Sequence, residues 1–169
     1  MIVNPEERLY KYCPTCKANL EVVLLDGRDR LKCPDCTFIF WSNPKPCVSL
    51  IIHKGDEVLM VQRAKEPLKG YWCLPGGFLE YEETPEVGLR REVKEELRID
   101  VNLEKLIGVY QIDNDPRGMH LDIIFAGTTN DQAKHNQELS DCKFFHKDQL
   151  PENIAYKHRE AISDYFQMI

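Results

Sequence analysis

Four cysteines in two tight pairs, CPTC at 13–16 and CPDC at 33–36, restrict the start of this chain more than any other feature. Sixteen residues separate the pairs, a spacing that lets four thiolates surround one Zn²⁺ tetrahedrally. Between them, LEVVLL and RLKC flank Asp26-Gly27, so the segment reads as a hairpin and the whole as a zinc ribbon with Cys13, Cys16, Cys33 and Cys36 as ligands. About forty residues bury too little apolar surface to fold unaided, so the metal is expected to act as a staple. Four cysteines close the coordination shell and leave no place for a reactive water. The chain has seven cysteines in all. Cys47, Cys73 and Cys142 stand singly and read as small buried hydrophobes, which with the metal pairs favours a reducing, cytoplasmic compartment over a secreted disulfide framework.

A chain of 169 residues has room for one ordinary domain beside this module. FIFWSNPKP, 38–46, carries two prolines and reads as a short linker. The expected division is therefore 1–43 for the ribbon and 44–169 for the second domain. No apolar run reaches the roughly 18 residues of a membrane span, and the first thirty residues, with Glu6 and Glu7, do not read as a signal peptide. The net charge of −6 argues against a phosphate-backbone binder, and residues 1–44 balance six basic against six acidic side chains. A nucleic-acid partner is not expected.

In the second domain VSLIIH and EVLMVQR read as strands across Lys54-Gly55-Asp56, and WCLPGG as a short strand ending in a glycine turn. Thr84 as N-cap and Pro85 at the first helical position begin a helix that runs to Leu97. KLIGVYQI, HLDIIFAGTT and CKFFH are further strands, and a last helix is expected over 154–166. The order is irregular, with no βαβ repeat and no G-x-G-x-x-G, which gives an α+β class rather than a doubly wound dinucleotide fold.

Residues 76–99, GGFLEYEETPEVGLRREVKEELRI, hold seven glutamates. At 100° per residue, Glu92, Glu95 and Glu96 fall within an arc of about 100° beside an apolar stripe of Leu89, Val93 and Leu97. Like charges three and four apart repel on an exposed helix, by a few tenths of a kcal/mol per pair, and Mg²⁺ or Mn²⁺ would offset that through carboxylate oxygens. A solvated acidic face paired to Arg90, Arg91 and Lys94 is the alternative. Gly88 lies within the arc, where close approach by a ligand is one reason for a glycine that costs about 1 kcal/mol relative to alanine.

Gly77, Glu83 and the run Arg91-Glu92-Val93-Lys94-Glu95-Glu96 stand at the spacing that resembles the Nudix box, and YWCLPGGFLE resembles the family's approach to it. The resemblance to Nudix hydrolases extends from about residue 46 onward. The preceding ribbon is similar to the arrangement in NADH pyrophosphatase-like members. It implies an α/β/α sandwich with a mixed sheet and metal-dependent hydrolysis of the diphosphate bridge in a nucleoside diphosphate derivative such as ADP-ribose, NADH or FAD, releasing a nucleoside monophosphate. It carries Glu92, Glu95 and Glu96 over as Mg²⁺ or Mn²⁺ ligands, and Arg91 paired with Glu83 as the group that orients them. Gly76 and Gly77 shape the turn, Glu80 joins the site, and Glu138, ahead of Asp141, is the candidate distant carboxylate. The chain departs from the pattern in two places. Arg98 stands where the box has glycine, so the helix is expected to avoid a left-handed end. YQIDNDPRGMHLD stands where NADH pyrophosphatases carry their proline- and aromatic-rich signature, which counts against NADH.

Phe40, Trp41, Tyr71, Trp72, Tyr110 and Tyr156 are candidate stacking surfaces that read more readily as packing, as do His120 and His158. The expected partner is a small nucleotide, with a homodimer suggested by the family. A Nudix-fold module that senses a nucleotide without cleaving it is the alternative from another class.

Overall fold

The structure, a computed structural model, describes residues 10–169. Expectations that touch residues 1–9, including part of the ribbon and of the signal-peptide reading, lie outside the described residues. The chain divides after Pro44 into two compact units.

In the first unit β1 (Glu21–Leu25) and β2 (Arg28–Lys32) form an antiparallel hairpin, with Leu25 opposite Arg28. Its turn residues Asp26 and Gly27 have φ of 51° and 75°, the left-handed pair that matches the twist of a two-residue hairpin. A third strand, β3 (Ile39–Phe40), pairs with β2. The expected linker therefore contains two residues of sheet, Ile39 and Phe40, and it ends inside another strand.

That strand is β4 (Lys45–Lys54), the centre of the second unit. Pro46 is accommodated there because it sits at the strand's start, where a missing N–H costs little. β5 (Glu57–Arg63), β6 (Trp72–Cys73), β7 (Gly76–Phe78), helix α1 (Pro85–Leu97), β8 (Asn102–Ile112), β9 (His120–Thr128), β10 (Leu139–His146) and helix α2 (His158–Gln167) follow. The sheet runs β10-β5-β4-β9-β8, with β6 on β5 and β7 on β4. Only the β4–β9 pair among the described strands is parallel.

Helices cover both faces, which is why the middle of β4, residues 47–52, is buried throughout and apolar except at Ser49. Val48, Leu50 and Ile52 pack with Leu89, Val93 and Leu97 of α1, whereas Ile51 packs with Ile124, Ala161 and Ile162 on the α2 side. The alternation of a strand thus separates two cores, giving the mixed-sheet α/β/α sandwich.

Three differences from the sequence reading have local causes. Gly76 and Gly77 lie in β7 rather than in a turn, opposite Ser49 and Val48. A Cβ on Gly76 would stand 2.0 Å from the Val48 carbonyl oxygen, so glycine serves close strand approach. Helix α2 starts at His158, later than expected, because Asn153 and Ala155 are bound by backbone hydrogen bonds to Trp72. Helix α1 does end left-handed, with φ 60° and ψ 27° at Arg98. The N–H of Arg98 reaches the Lys94 carbonyl, and Lys134 and Asn136 donate to the carbonyls of Leu97 and Glu96, so cap bonding outweighs the roughly 1 kcal/mol conformational cost.

Candidate active site

The Thr84 hydroxyl accepts from the Val87 N–H at 3.4 Å and Pro85 occupies the first turn, which starts α1 where the sequence reading puts it. Burial along the helix then follows angle. Glu96 is nearest the apolar stripe and is largely enclosed, Glu92 is next with 18% of its side chain exposed, and Glu95, farthest away, is 58% exposed.

Glu83, just before the helix, accepts from Arg91 Nε at 2.6 Å and Nη2 at 2.9 Å, a bidentate pair. This holds the Glu83 carboxyl down at about 2. Arg91 also donates to Glu92 Oε1 at 2.8 Å and to the Phe78 carbonyl at 3.1 Å. One guanidinium thus ties the loop, the strand β7 and the helix together. Gly88 is explained here: a Cβ would meet Leu79 Cδ2 at 2.4 Å and Glu83 Oε2 at 2.8 Å. The close neighbours are the chain's own side chains.

β4 pairs with β5 only at residues 52–54 and with β7 at 47–49. Around this divergence lies a cavity of about 440 Å³. Glu80, Glu92, Glu96 and Glu138 border it, together with Arg63 and Lys65. Glu95 and Asp141 are not on its wall. Glu96 Oε2 accepts the Gly76 N–H at 3.0 Å, and a Cβ on Gly77 would lie 2.5 Å from the Glu92 carboxylate. Gly77 therefore leaves room for Glu92, while the Gly76 N–H holds Glu96. Glu138 is brought in by Asn136, whose Oδ1 accepts the Glu138 N–H and whose own N–H caps Glu96. Lys65 Nζ pairs with Glu138 at 3.0 Å.

Burial pushes the Glu96 carboxyl up to about 8, against the lowering effect of the Gly76 N–H, and also raises Glu92. Hard oxygen donors along a partly dry wall fit a divalent cation, which stabilises their charged form. Their oxygens are not drawn together: among the described residues, only the four ribbon cysteines form a group whose ligand atoms lie within 4.8 Å of one another. There the Sγ atoms of Cys13 and Cys36 are 3.6 Å apart, and those of Cys16 and Cys33 are 3.3 Å apart. Both are too long for a disulfide and near the edge of about 3.8 Å of a tetrahedron with 2.3 Å metal–sulfur bonds. Of the single cysteines, Cys47 and Cys73 are buried and Cys142 is half-buried; burial raises all three thiols.

The cavity also holds residues that the sequence reading took as packing or did not single out. Phe78, Arg117, His120 and Tyr156 border it, as do Asp122 and His158. Asp115 is buried and takes two hydrogen bonds from the Arg117 guanidinium, at 2.9 and 2.7 Å, and Arg117 lies 5.1 Å over the Phe78 ring. Of the named aromatics, Tyr156 alone reaches this cavity. Trp72 is buried in the α2-side core, and the Tyr110 hydroxyl donates to Asp164. The available signal was His120 and Asp122 sharing strand parity with Ile124 and Ala126, polar groups on a buried face.

No helix among the described residues is long and apolar enough to cross a membrane. An ADP-ribose pyrophosphatase of Methanocaldococcus jannaschii is 35% identical over 127 residues, 74% of this chain and 75% of that protein. The NAD-capped RNA hydrolase NudC of Vibrio atlanticus is 29% identical over 84% of this chain, which spans only 51% of that protein's length. A crystal structure of a NUDIX hydrolase from Nitrosomonas europaea superposes with a TM-score of 0.81, at 28% identity over 93% of this chain and 90% of the other. The profile of the family described as NUDIX domain matches residues 43–165, and the chain belongs to that family.

Proposed function

We propose that the second unit hydrolyses the diphosphate bridge of a nucleoside diphosphate derivative, with ADP-ribose the first candidate and FAD or NADH behind it. Water and ADP-ribose give AMP and ribose 5-phosphate. The observation that carries this reading is the placement of Glu92, Glu96 and Glu138 on one cavity wall, with Arg63 and Lys65 beside them. Mg²⁺ or Mn²⁺ held there would neutralise phosphate charge and lower the pKa of a bound water. The chain supplies the rest. Gly76 fixes Glu96, Gly77 makes room for Glu92, Arg91 and Glu83 hold the helix register, and Arg63 and Lys65 offer positive charge to the phosphates. Glu80 stands at the rim, and Glu95 supports from outside through its 3.4 Å contact with Arg91.

Zn²⁺ is the proposed metal of the cysteine cluster, with a structural role, and the cytoplasm is the compartment in which such thiols stay available. A homodimer is proposed on the family resemblance alone. ADP-ribose is favoured by the 35% identical relative's name, and the net charge of −6 gives no support to a nucleic-acid substrate.

The test is AMP release from ADP-ribose, FAD and NADH with Mg²⁺ or Mn²⁺, by chromatography. Metal-dependent release from at least one supports the proposal. Binding without release from any would support a sensing module instead.

A further inference from the structure

A buried polar cluster that borders the same cavity is left unused by the roles given above. Strand parity puts Ser49 of β4 and Asp122 of β9 on the α2 face, where His158 opens the helix. The Leu74 N–H donates to His158 Nδ1 at 2.9 Å. That bond requires a lone pair on Nδ1, so the ring proton sits on Nε2 and points to Asp122 Oδ2, 3.0 Å away. The Ser49 hydroxyl also donates to Oδ2, at 3.0 Å. These two donors therefore converge on one oxygen, and the Cys47 thiol lies against the same carboxylate. Oδ1 of the same carboxylate is buried with no hydrogen-bond partner, and Asp122 is 1% exposed and borders the cavity. Buried acceptors left without a donor are rare, and each calls for a missing group.

We propose that Asp122, set by Ser49 and His158, is a specificity-determining acceptor that takes a hydrogen-bond donor from the nucleoside part of the substrate. The donor is a base amine or a ribose hydroxyl. Flat surfaces favour the base: the Phe78 and Tyr156 rings both border the cavity, and aromatic rings are surfaces on which a planar heterocycle stacks. The proposal rests on the nucleotide reading given above, but not on hydrolysis.

The experiment is calorimetric binding to the full chain with Mg²⁺, using AMP, purine riboside 5′-monophosphate, which lacks the 6-amine, and 2′- and 3′-deoxy-AMP. One deletion is expected to weaken binding at least about tenfold, the effect of losing a hydrogen bond to a charged group. The amine-free analogue losing affinity identifies the base, and a deoxy analogue identifies the sugar. Asp122→Asn, which presents N–H at the same place, should abolish that discrimination. A structure of the wild-type chain with AMP should place a ligand nitrogen or oxygen within about 3.2 Å of Asp122 Oδ1, whether or not the variant folds. Equal affinities for all four nucleotides, no AMP binding, discrimination kept by Asp122→Asn, or a water at Oδ1 with the nucleotide elsewhere would each overturn the proposal. If AMP binds selectively but no diphosphate is cleaved, the hydrolase reading fails and this one stands.

Discussion

The two units hold their candidate metal ligands in opposite ways. In the ribbon, four thiols already converge within 4.8 Å, on two knuckles joined by a short hairpin. In the sandwich, carboxylates line one wall while each is held by a different protein group: Glu92 by Arg91, Glu96 by the Gly76 N–H and Glu138 by Lys65. A closed set of soft ligands leaves a metal no free position, whereas a spread set of hard ligands leaves room for water and phosphate. The contrast teaches that convergence marks a staple and dispersion marks a place for substrate.

The largest expected effect breaks the comparison on the ribbon side. Structural zinc contributes folding free energy on the order of 10 kcal/mol, so Cys33→Ser should strip protection from Glu21–Lys32 in hydrogen exchange. Residues 45–169 should keep theirs. Equal protection in the variant would show that the hairpin does not depend on metal.

Next, Glu96→Gln should lower kcat by about 100-fold or more without changing the circular dichroism spectrum, since even groups behind metal ligands are worth 10–100-fold. Glu95→Gln, on the exposed flank of α1, should cost less than tenfold. Comparable losses would mean that burial and cavity placement do not rank these carboxylates. A smaller effect sharpens the account of the Arg91 clamp. Glu83→Gln removes one charge from a pair bonded at 2.6 and 2.9 Å, and kcat should fall about tenfold to 100-fold with KM nearly constant. A change in KM alone would assign Glu83 to substrate binding.

Much of this was legible in the sequence because it rests on local chemistry. Cysteine spacing, the left-handed Asp26-Gly27 turn, the Thr84-Pro85 helix start and the Leu89-Val93-Leu97 stripe are each set by a few adjacent residues. Gly76 and Gly77 were misplaced for a different reason. Their small size answers to Val48 and Glu92, which are distant in sequence. Arg98 likewise takes its left-handed conformation with help from a loop at 134–136 that pairs with the helix end. Asp122 and His158 were hardest to see, since a polar residue in a strand gains meaning only when the opposite helix is known to cover it.

The most direct test of the central claim is Mn²⁺ uptake by the chain, with its ribbon metal in place, in the presence of α,β-methylene ADP-ribose. Electron paramagnetic resonance would count the bound ions. The account predicts binding in the wild type that disappears in the double variant Glu92→Gln, Glu96→Gln while the ribbon keeps its metal. Undiminished Mn²⁺ uptake by that variant would contradict it.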